Sequence, residues 1–412
     1  MIPSSKPSFL PYGRQCLDDE DFAAVTEALR ADYLTTGPLI GIFEQAFAAA
    51  VGAKYAVVSN SGTAALHLAT AAAGIGEGSK DGVIVPTVTF LATANVVRHV
   101  GGEVIFADVD PHNGLITAEC LMAAIQRAKQ MGLAPKAIMP VHLNGPSVDM
   151  IDIKVIAEKE NLKIIEDACH AIGSEQAIGN GVTARVGACM LSDFACFSLH
   201  PVKTITMGEG GVTTTKDAQA AAKMMMMRSH GMNRDPLLMQ NLSMANNAAG
   251  IFNPWYYEML EPGFNYRATD FACALGLSQL RKLEIFARRR QELATLYDTL
   301  LHPLAPTIKP VPRPPSQATV LHLYAIQIDF AALNLDRGDA MRWLREKGIG
   351  TMVHYIPVHR QPYYVRRYGN LSLPGADAYY QRQLSIPFYP TMTEEDVRRV
   401  VETLTDLVRG NA

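Results

Sequence analysis

The chain has 412 residues, which at about 150 residues per domain predicts two or three domains. Its 37 basic and 40 acidic side chains leave a net charge of -3, and this near balance argues against a nucleic-acid binder that depends on a concentrated basic surface. Apolar residues at 48% and charged ones at 19% match a large buried core and exclude a disordered chain. No apolar run reaches the ~18 residues that span a bilayer. The opening Met1-Ile2-Pro3-Ser4-Ser5-Lys6-Pro7 has none of the apolar core of a signal peptide. A soluble, cytoplasmic chain is therefore expected, with no membrane partner. The six cysteines form no CxxC pair and read as buried, reduced thiols. The eleven histidines include no HExxH, and no metal site is expected.

In chain order, short β-rich runs fall at residues 55–60, 83–86, 103–108, 137–142, 162–167, 195–199 and 211–215. Amphipathic or Ala-rich helical stretches lie between the early ones, at 64–73, 117–131 and 149–160. Strands alternating with helices of that length predict βαβ units around a mostly parallel sheet. Met224-Met225-Met226-Met227 reads as a core helix. Residues 269–301 form one long helical pattern, and Arg288-Arg289-Arg290 within it reads as a solvated face. The six prolines between 303 and 315 exclude a helix interior and predict a connector or edge segment. A strand at 321–329, a helix at 337–347, the segment 350–358 and a helix at 394–409 complete the pattern. The fold class is α/β: a large domain with a mostly parallel sheet, then a smaller C-terminal α+β domain. The expected division is an N-terminal segment 1–40, a large domain 41–275 and a small domain 276–412.

Asn60-Ser61-Gly62-Thr63-Ala64-Ala65-Leu66 follows a strand and opens a helix. Glycine lets backbone approach a ligand, and hydroxyls with free helix-start amides suit a phosphate. An ordinary helix cap uses the same residues. Neither a G-x-x-x-x-G-K-[ST] loop nor a strand followed by G-x-G-x-x-G is present. Ile164-Ile165-Glu166-Asp167-Ala168 puts two acids at the carboxyl end of a strand, where open α/β sheets bind ligands. Cys196-Phe197-Ser198-Leu199-His200-Pro201-Val202-Lys203 leaves another strand ahead of Gly208-Glu209-Gly210-Gly211. A desolvated lysine there could form a Schiff base; a surface lysine is the plainer reading. Together, a phosphate cradle, a strand-end aspartate and a lysine meet the needs of pyridoxal phosphate. The aspartate keeps the pyridine nitrogen protonated, and the lysine holds the aldehyde and moves the proton. Phe90 could stack on the ring or serve as a core aromatic.

With these motifs, joined by Ser198-Leu199-His200-Pro201-Val202-Lys203, Glu166-Asp167-Ala168-Cys169-His170-Ala171 and Gly263-Phe264-Asn265-Tyr266-Arg267, the sequence resembles the DegT/StrS-type nucleotide-sugar aminotransferases over nearly its whole length. The resemblance implies a fold-type I pyridoxal 5'-phosphate enzyme whose large domain binds the cofactor. By motif it implies that Lys203 and Asp167 are catalytic, and that Gly62, Thr63 and Ser198 hold the phosphate. Phe90 would cover the ring, and His170 would stand near the phenolic oxygen, where much of the family has glutamine. Tyr12-Gly13-Arg14-Gln15, Asp32-Tyr33-Leu34-Thr35-Thr36-Gly37-Pro38, Arg228-Ser229-His230-Gly231-Met232 and Val353-His354-Tyr355 further resemble the branch of the family that serves pseudaminic acid biosynthesis. That resemblance implies amination of C4 of a UDP-linked 4-keto-6-deoxy-N-acetylhexose by glutamate, in a ping-pong cycle through pyridoxamine phosphate. Tyr12, Asp32, Tyr33, Leu34, Thr35, Met352, Val353, His354 and Tyr355 would border the sugar nucleotide. Asn265 would reach the cofactor site of a second subunit in a homodimer.

Three other readings stand beside this one. The substrate could be another nucleotide-linked keto sugar. A dehydratase of the same family would carry histidine in place of the lysine, whereas Lys203 is present. A cofactor-binding regulatory protein would need no proton shuttle, which the pair Lys203 and Asp167 supplies.

Overall fold

The computed structural model describes residues 9–78, 80–314 and 318–410. The opening segment read against a signal peptide (residues 1–7) and Pro315 lie outside these. Ahead of the sheet, α1 (Asp19–Arg30) and α2 (Pro38–Val51) pack against a later helix. The strand-and-helix alternation then folds as expected. β1 (Tyr55–Ser59) leads into α3 (Gly62–Ala72), β2 (Asp81–Pro86) into α4 (Leu91–His99) and β3 (Glu103–Ala107) into α5 (Ala118–Gln130). β4 (Ala134–Ile138), α6 (Met150–Lys159) and β5 (Lys163–Asp167) follow, then the hairpin β6 (Glu175–Gly179) and β7 (Val182–Arg185), and finally β8 (Phe194–Ser198) and β9 (Gly211–Thr215). The large sheet has seven strands in the order β1-β9-β8-β5-β4-β2-β3. β9 runs antiparallel to both neighbours, and the other pairings are parallel. All residues of β2 and β9 are buried, as a sheet with helices on both faces requires. Side-chain caps start several helices where the sequence places Ser, Thr or Asp: Ser61 accepts from Ala64 N–H, Thr117 from Cys120 N–H and Asp149 from Ile151 N–H.

After β9 come α7 (Ala218–Met227), the short strands β10 (Met232–Asn233) and β11 (Glu258–Met259) with α8 (Leu242–Ala245) between them, α9 (Asp270–Arg281) and α10 (Leu283–Leu301). β12 (Ile308–Pro310), β13 (Tyr324–Ile328) and β14 (Gln383–Ile386) form a three-stranded antiparallel sheet. α11 (Arg337–Glu346), α12 (Pro362–Tyr368), α13 (Pro374–Arg382) and α14 (Glu394–Val408) accompany it. The proline-rich stretch thus supplies an edge strand, where a missing N–H costs no ladder bond. Leu293, Tyr297, Ile326, Ile386 and Val400 belong to an apolar cluster of this C-terminal part.

The structure departs from the sequence reading in three places. The strand expected at 137–142 is β4, and it ends at Ile138. Met139 N–H still donates to Ile84 C=O (2.9 Å) and Pro140 C=O accepts from Asp167 N–H (2.9 Å), but proline has no N–H to continue the ladder. The helix expected over 269–301 is two helices, parted at Lys282 with φ -97° and ψ 2°. The Lys282 ammonium is pinned to Asp18 and Asp21, which holds this break against α1. Arg290 is buried and not solvated. It shares the inward stripe of α10 with Phe286, Leu293, Tyr297 and Leu301, and its Nη1 donates to the carbonyls of Leu321 and His322. Of the four consecutive methionines, Met224 and Met227 are buried while Met225 is exposed, as one face of α7 dictates. No helix among the described residues is long and apolar enough to cross a membrane.

Candidate active site

The carboxyl ends of β1, β5 and β8 meet at one edge of the large sheet, with the loops after β2 and β8 and the segment 352–355 around them. They enclose a cavity of about 830 Å³. This is the edge where an open α/β sheet offers ligands its strand ends and helix starts.

The floor on one side is the turn from β1 into α3. Ser61 caps the helix, leaving the Gly62 and Thr63 N–H groups as unpaired donors of a first turn. A Cβ on Gly62 would stand 2.7 Å from Ser198 Cβ, and one on Gly211 only 2.2 Å from Ser61 C=O. Two glycines therefore let the α3 start lie flush against the ends of β8 and β9. The Ser198 and Thr63 side chains line the same corner. Free amides, hydroxyls and a helix N-terminus make a seat for a phosphate.

Asp167 ends β5 and is buried. Its Oδ2 accepts from Thr93 Oγ1 at 2.6 Å, and its Oδ1 from Cys169 N–H at 3.2 Å. Thr93 in turn lies 2.8 Å from Thr89 Oγ1. The carboxylate is thus held at both oxygens and aimed into the cavity. Lys203 lines the cavity as well, and its ammonium forms no ion pair among the described residues. Burial pulls its pKa down, while the neighbouring Cys169 and Asp167 act in the opposite sense. A desolvated amine of this kind can act as nucleophile and base.

The opposite wall carries Tyr12, Phe90, Met352, Val353, His354 and Tyr355. His354 is anchored through Nδ1 to Ser385 Oγ (2.8 Å) and through its N–H to Gln383 Oε1 (2.9 Å). Burial pushes it down to about 3, so the ring is neutral. Phe90 is 55% exposed and sits 5.9 Å from the Tyr355 ring; it is no core aromatic. His170 Nδ1 accepts from Asn144 N–H (3.2 Å), while Nε2 lies 3.2 Å from Tyr355 Oη. The tautomer is therefore Nε2–H.

The cavity brings together Tyr12, Gly62, Thr63, Phe90, Asp167, His170, Ser198, Lys203, Met352, Val353, His354 and Tyr355. It does not include Asp32, Tyr33, Leu34, Thr35 or Asn265. The first four are exposed on the chain's surface, where Leu34 C=O accepts from Asp270 N–H at 2.9 Å. Asn265 is exposed too, and its C=O accepts from Asn60 Nδ2 at 3.4 Å. Sequence reasoning missed Thr93, Asn60, Cys169, His200 and Glu209. The last four stand inside motifs it had singled out and line the cavity. Thr93, in the first turn of α4, carries no signal in the sequence.

The residues present fit pyridoxal phosphate: a phosphate seat, a held carboxylate for the ring nitrogen, and an unpaired amine for the aldehyde.

Comparison with known proteins gives a consistent picture. The sequence model of the DegT/DnrJ/EryC1/StrS aminotransferase family matches residues 15–405. The spore coat polysaccharide biosynthesis protein SpsC of Bacillus subtilis (strain 168) is 37% identical over 408 residues, covering 98% of each chain. Among solved structures, Helicobacter pylori PseC, an aminotransferase involved in the biosynthesis of pseudoaminic acid, superposes with a TM-score of 0.85 at 28% identity, over 98% of this chain and 100% of that one. DesV of S. venezuelae does so with a TM-score of 0.81 at 28% identity, over 97% and 99%.

Proposed function

The chain belongs to the DegT/DnrJ/EryC1/StrS aminotransferase family, whose members are pyridoxal-phosphate-dependent sugar aminotransferases, and from that premise we propose that it transfers the amino group of glutamate to C4 of a UDP-linked 4-keto-6-deoxy-N-acetylhexose, as in pseudaminic acid biosynthesis. The observation that carries the reading is the unpaired Lys203 amine sharing one cavity with the doubly held Asp167. The likeness to PseC supports the choice of sugar. The identity with SpsC favours a second reading, in which the keto sugar is another nucleotide-linked precursor of a surface polysaccharide.

Bound pyridoxal phosphate supplies an electron sink and carries nitrogen from donor to acceptor. The Gly62 and Thr63 amides with the Thr63 and Ser198 hydroxyls hold the phosphate. Asp167 keeps a proton on the ring nitrogen, and Phe90 covers the ring. Lys203 Nζ takes the α-proton of glutamate in one half-cycle and delivers a proton to C4 of the sugar in the other. Its lowered pKa keeps more of the amine in its basic form. Tyr12, Met352, Val353, His354 and Tyr355 border the sugar nucleotide at the open side of the cavity. Glutamate and the sugar use one site in turn, which gives ping-pong kinetics.

The reading includes a homodimer in which Asn265 and the exposed Asp32, Tyr33, Leu34 and Thr35 complete the partner's site. Their exposure away from the chain's own cavity supports this. A cytoplasmic location belongs to it too, supported by six free cysteines. So does a division into 1–40, 41–275 and 276–412, supported by the separate apolar cluster of the C-terminal part.

The test is product identification by NMR after incubation with glutamate and candidate UDP-4-keto-6-deoxy sugars. Amination at C4 of an N-acetyl substrate is expected. Equal activity on TDP-linked sugars lacking the N-acetyl group would remove the substrate assignment, and intersecting double-reciprocal lines would remove the ping-pong order.

A further inference from the structure

We propose that Tyr355 is the hydrogen-bond donor this site presents to the ring oxygen of the bound cofactor, and that His170 stands behind it as the positioning residue fixing the direction of donation. The inference rests on the reading of Asp167 and Lys203 as the cofactor's two anchors.

Asn144 N–H donates to His170 Nδ1 at 3.2 Å, and an amide N–H can only donate. Nδ1 must therefore accept, which puts the one hydrogen of the neutral imidazole on Nε2. Burial keeps the ring neutral, with Lys203 and His354 adding repulsion. Nε2 lies 3.2 Å from Tyr355 Oη, so the imidazole donates and the phenol accepts. The reverse direction would leave the ring without any hydrogen. The hydroxyl hydrogen of Tyr355 then has no protein acceptor among the described residues, and Tyr355 lines the cavity. The result is a one-way chain: amide to imidazole to phenol to whatever acceptor occupies the cavity.

The start of the chain is rigidly held. Asn144 sits in the left-handed region with φ 66°, where asparagine is among the few tolerated side chains. Its C=O accepts from His322 N–H at 2.9 Å and its Nδ2 donates to Tyr379 Oη at 3.3 Å. The His322 ring packs 4.6 Å from that of His170.

The position of the pair selects the acceptor. Tyr355 and His170 line the same cavity as Asp167 and Lys203, and His170 stands three residues beyond the strand end at Asp167. On a pyridine ring anchored at its nitrogen and at its aldehyde, the phenolic oxygen lies on the edge between those anchors, away from the phosphate. The phosphate end is occupied by residues 61–63 and Ser198. A donor on the remaining edge meets the ring oxygen and stabilises its anionic form.

The experiment uses the holoenzyme without sugar nucleotide, following the visible band of the bound cofactor against pH. Losing a donor to an anionic oxygen makes its proton harder to remove. Tyr355→Phe is therefore expected to raise the midpoint by about one pH unit or more, the worth of a charge-assisted hydrogen bond. His170→Leu is expected to shift it the same way. His170→Gln should restore the wild-type midpoint, since the amide accepts through Oε1 and donates through Nε2 in the same direction. The other titratable groups facing the pair (Lys203, His322 and His354 around His170, and Asp167, Cys169, Tyr12 and Tyr379 around Tyr355) are the same in all three variants. An unchanged midpoint in Tyr355→Phe, with only the KM for the sugar nucleotide raised, overturns the proposal and gives the hydroxyl to the sugar. A Lys203→Ala protein that keeps the visible band overturns the underlying site reading instead.

Discussion

Thr93→Val removes one oxygen from the protein and tests how Asp167 is held. The threonine hydroxyl is buried, donates to Asp167 Oδ2 at 2.6 Å and stands 2.8 Å from Thr89 Oγ1. Valine keeps the shape of the side chain and the first turn of α4. What it loses is a hydrogen bond to an ionised acceptor, worth about 1.5–3 kcal/mol. If that energy holds the carboxylate in line with the ring nitrogen, the rate falls by roughly 10- to 100-fold, at about 1.4 kcal/mol per factor of ten. The Cys169 N–H remains on Oδ1, which keeps the loss below that of removing the charge in Asp167→Asn. The assay is the half-reaction with glutamate alone, read as the decay of the cofactor's visible band in a single turnover, so no knowledge of the sugar is needed. A rate within twofold of wild type, in a protein that binds cofactor normally, would refute the view that Thr93 positions Asp167.

Lys203→Ala is expected to cost at least a hundredfold in turnover while leaving the fold intact, since one positioned acid–base group contributes about 10²–10⁴-fold; circular dichroism and steady-state rates check this. Gly62→Ala should weaken cofactor affinity more than it weakens the apoprotein, because its Cβ would press on Ser198 Cβ at 2.7 Å inside the phosphate seat; equilibrium dialysis against pyridoxal phosphate reads the loss. Lys203→Met should stabilise the apoprotein near neutral pH. Burial lowers the folded pKa of this lysine, so the unfolded chain binds the extra proton and wild-type stability rises as pH climbs from the lowered to the ordinary lysine range. The advantage of the methionine variant should therefore shrink over that window in urea melts of the apoproteins. The sign is the same lower on the pH scale. His354 and His67 are held down to about 3 and about 4 by burial, so stability should fall as pH drops through the ordinary histidine range, and less so in His67→Phe.

Signals that act over a few residues were legible in the sequence. A strand followed by Ser61-Gly62-Thr63 and a strand ending in Asp167 each announce a local geometry, and each stands where that geometry predicts. Lys203 follows the same logic after β8. Pairings set by topology were not legible. Thr93 meets Asp167 across 74 residues and Tyr355 meets His170 across 185, distances over which no local pattern carries information. The break at Lys282 was hidden because its cause lies in Asp18 and Asp21, at the far end of the chain. Arg290 misled for a related reason. Three arginines in a row look solvated, yet the stripe of α10 rotates the third inward, where backbone carbonyls replace water.

That inward arginine bears on how far the enzyme can be taken apart. Arg290 lies over the Phe388 ring, 5.4 Å from its centroid, and reaches the carbonyl of His322, whose ring packs on His170. Phe388 N–H in turn donates to Tyr12 C=O at 3.1 Å, and Tyr12 is a wall of the cavity. A single cation thus holds Leu321, His322 and Phe388 together, and Phe388 carries the link on to Tyr12 near the other end of the chain. Cutting the chain after α10 would part that charge from the carbonyls that take the place of its water. The C-terminal part is therefore no detachable lid that could be exchanged between relatives to transplant sugar preference. Recombination to alter specificity has to carry Arg290 with Leu321, His322 and Phe388 as one indivisible block.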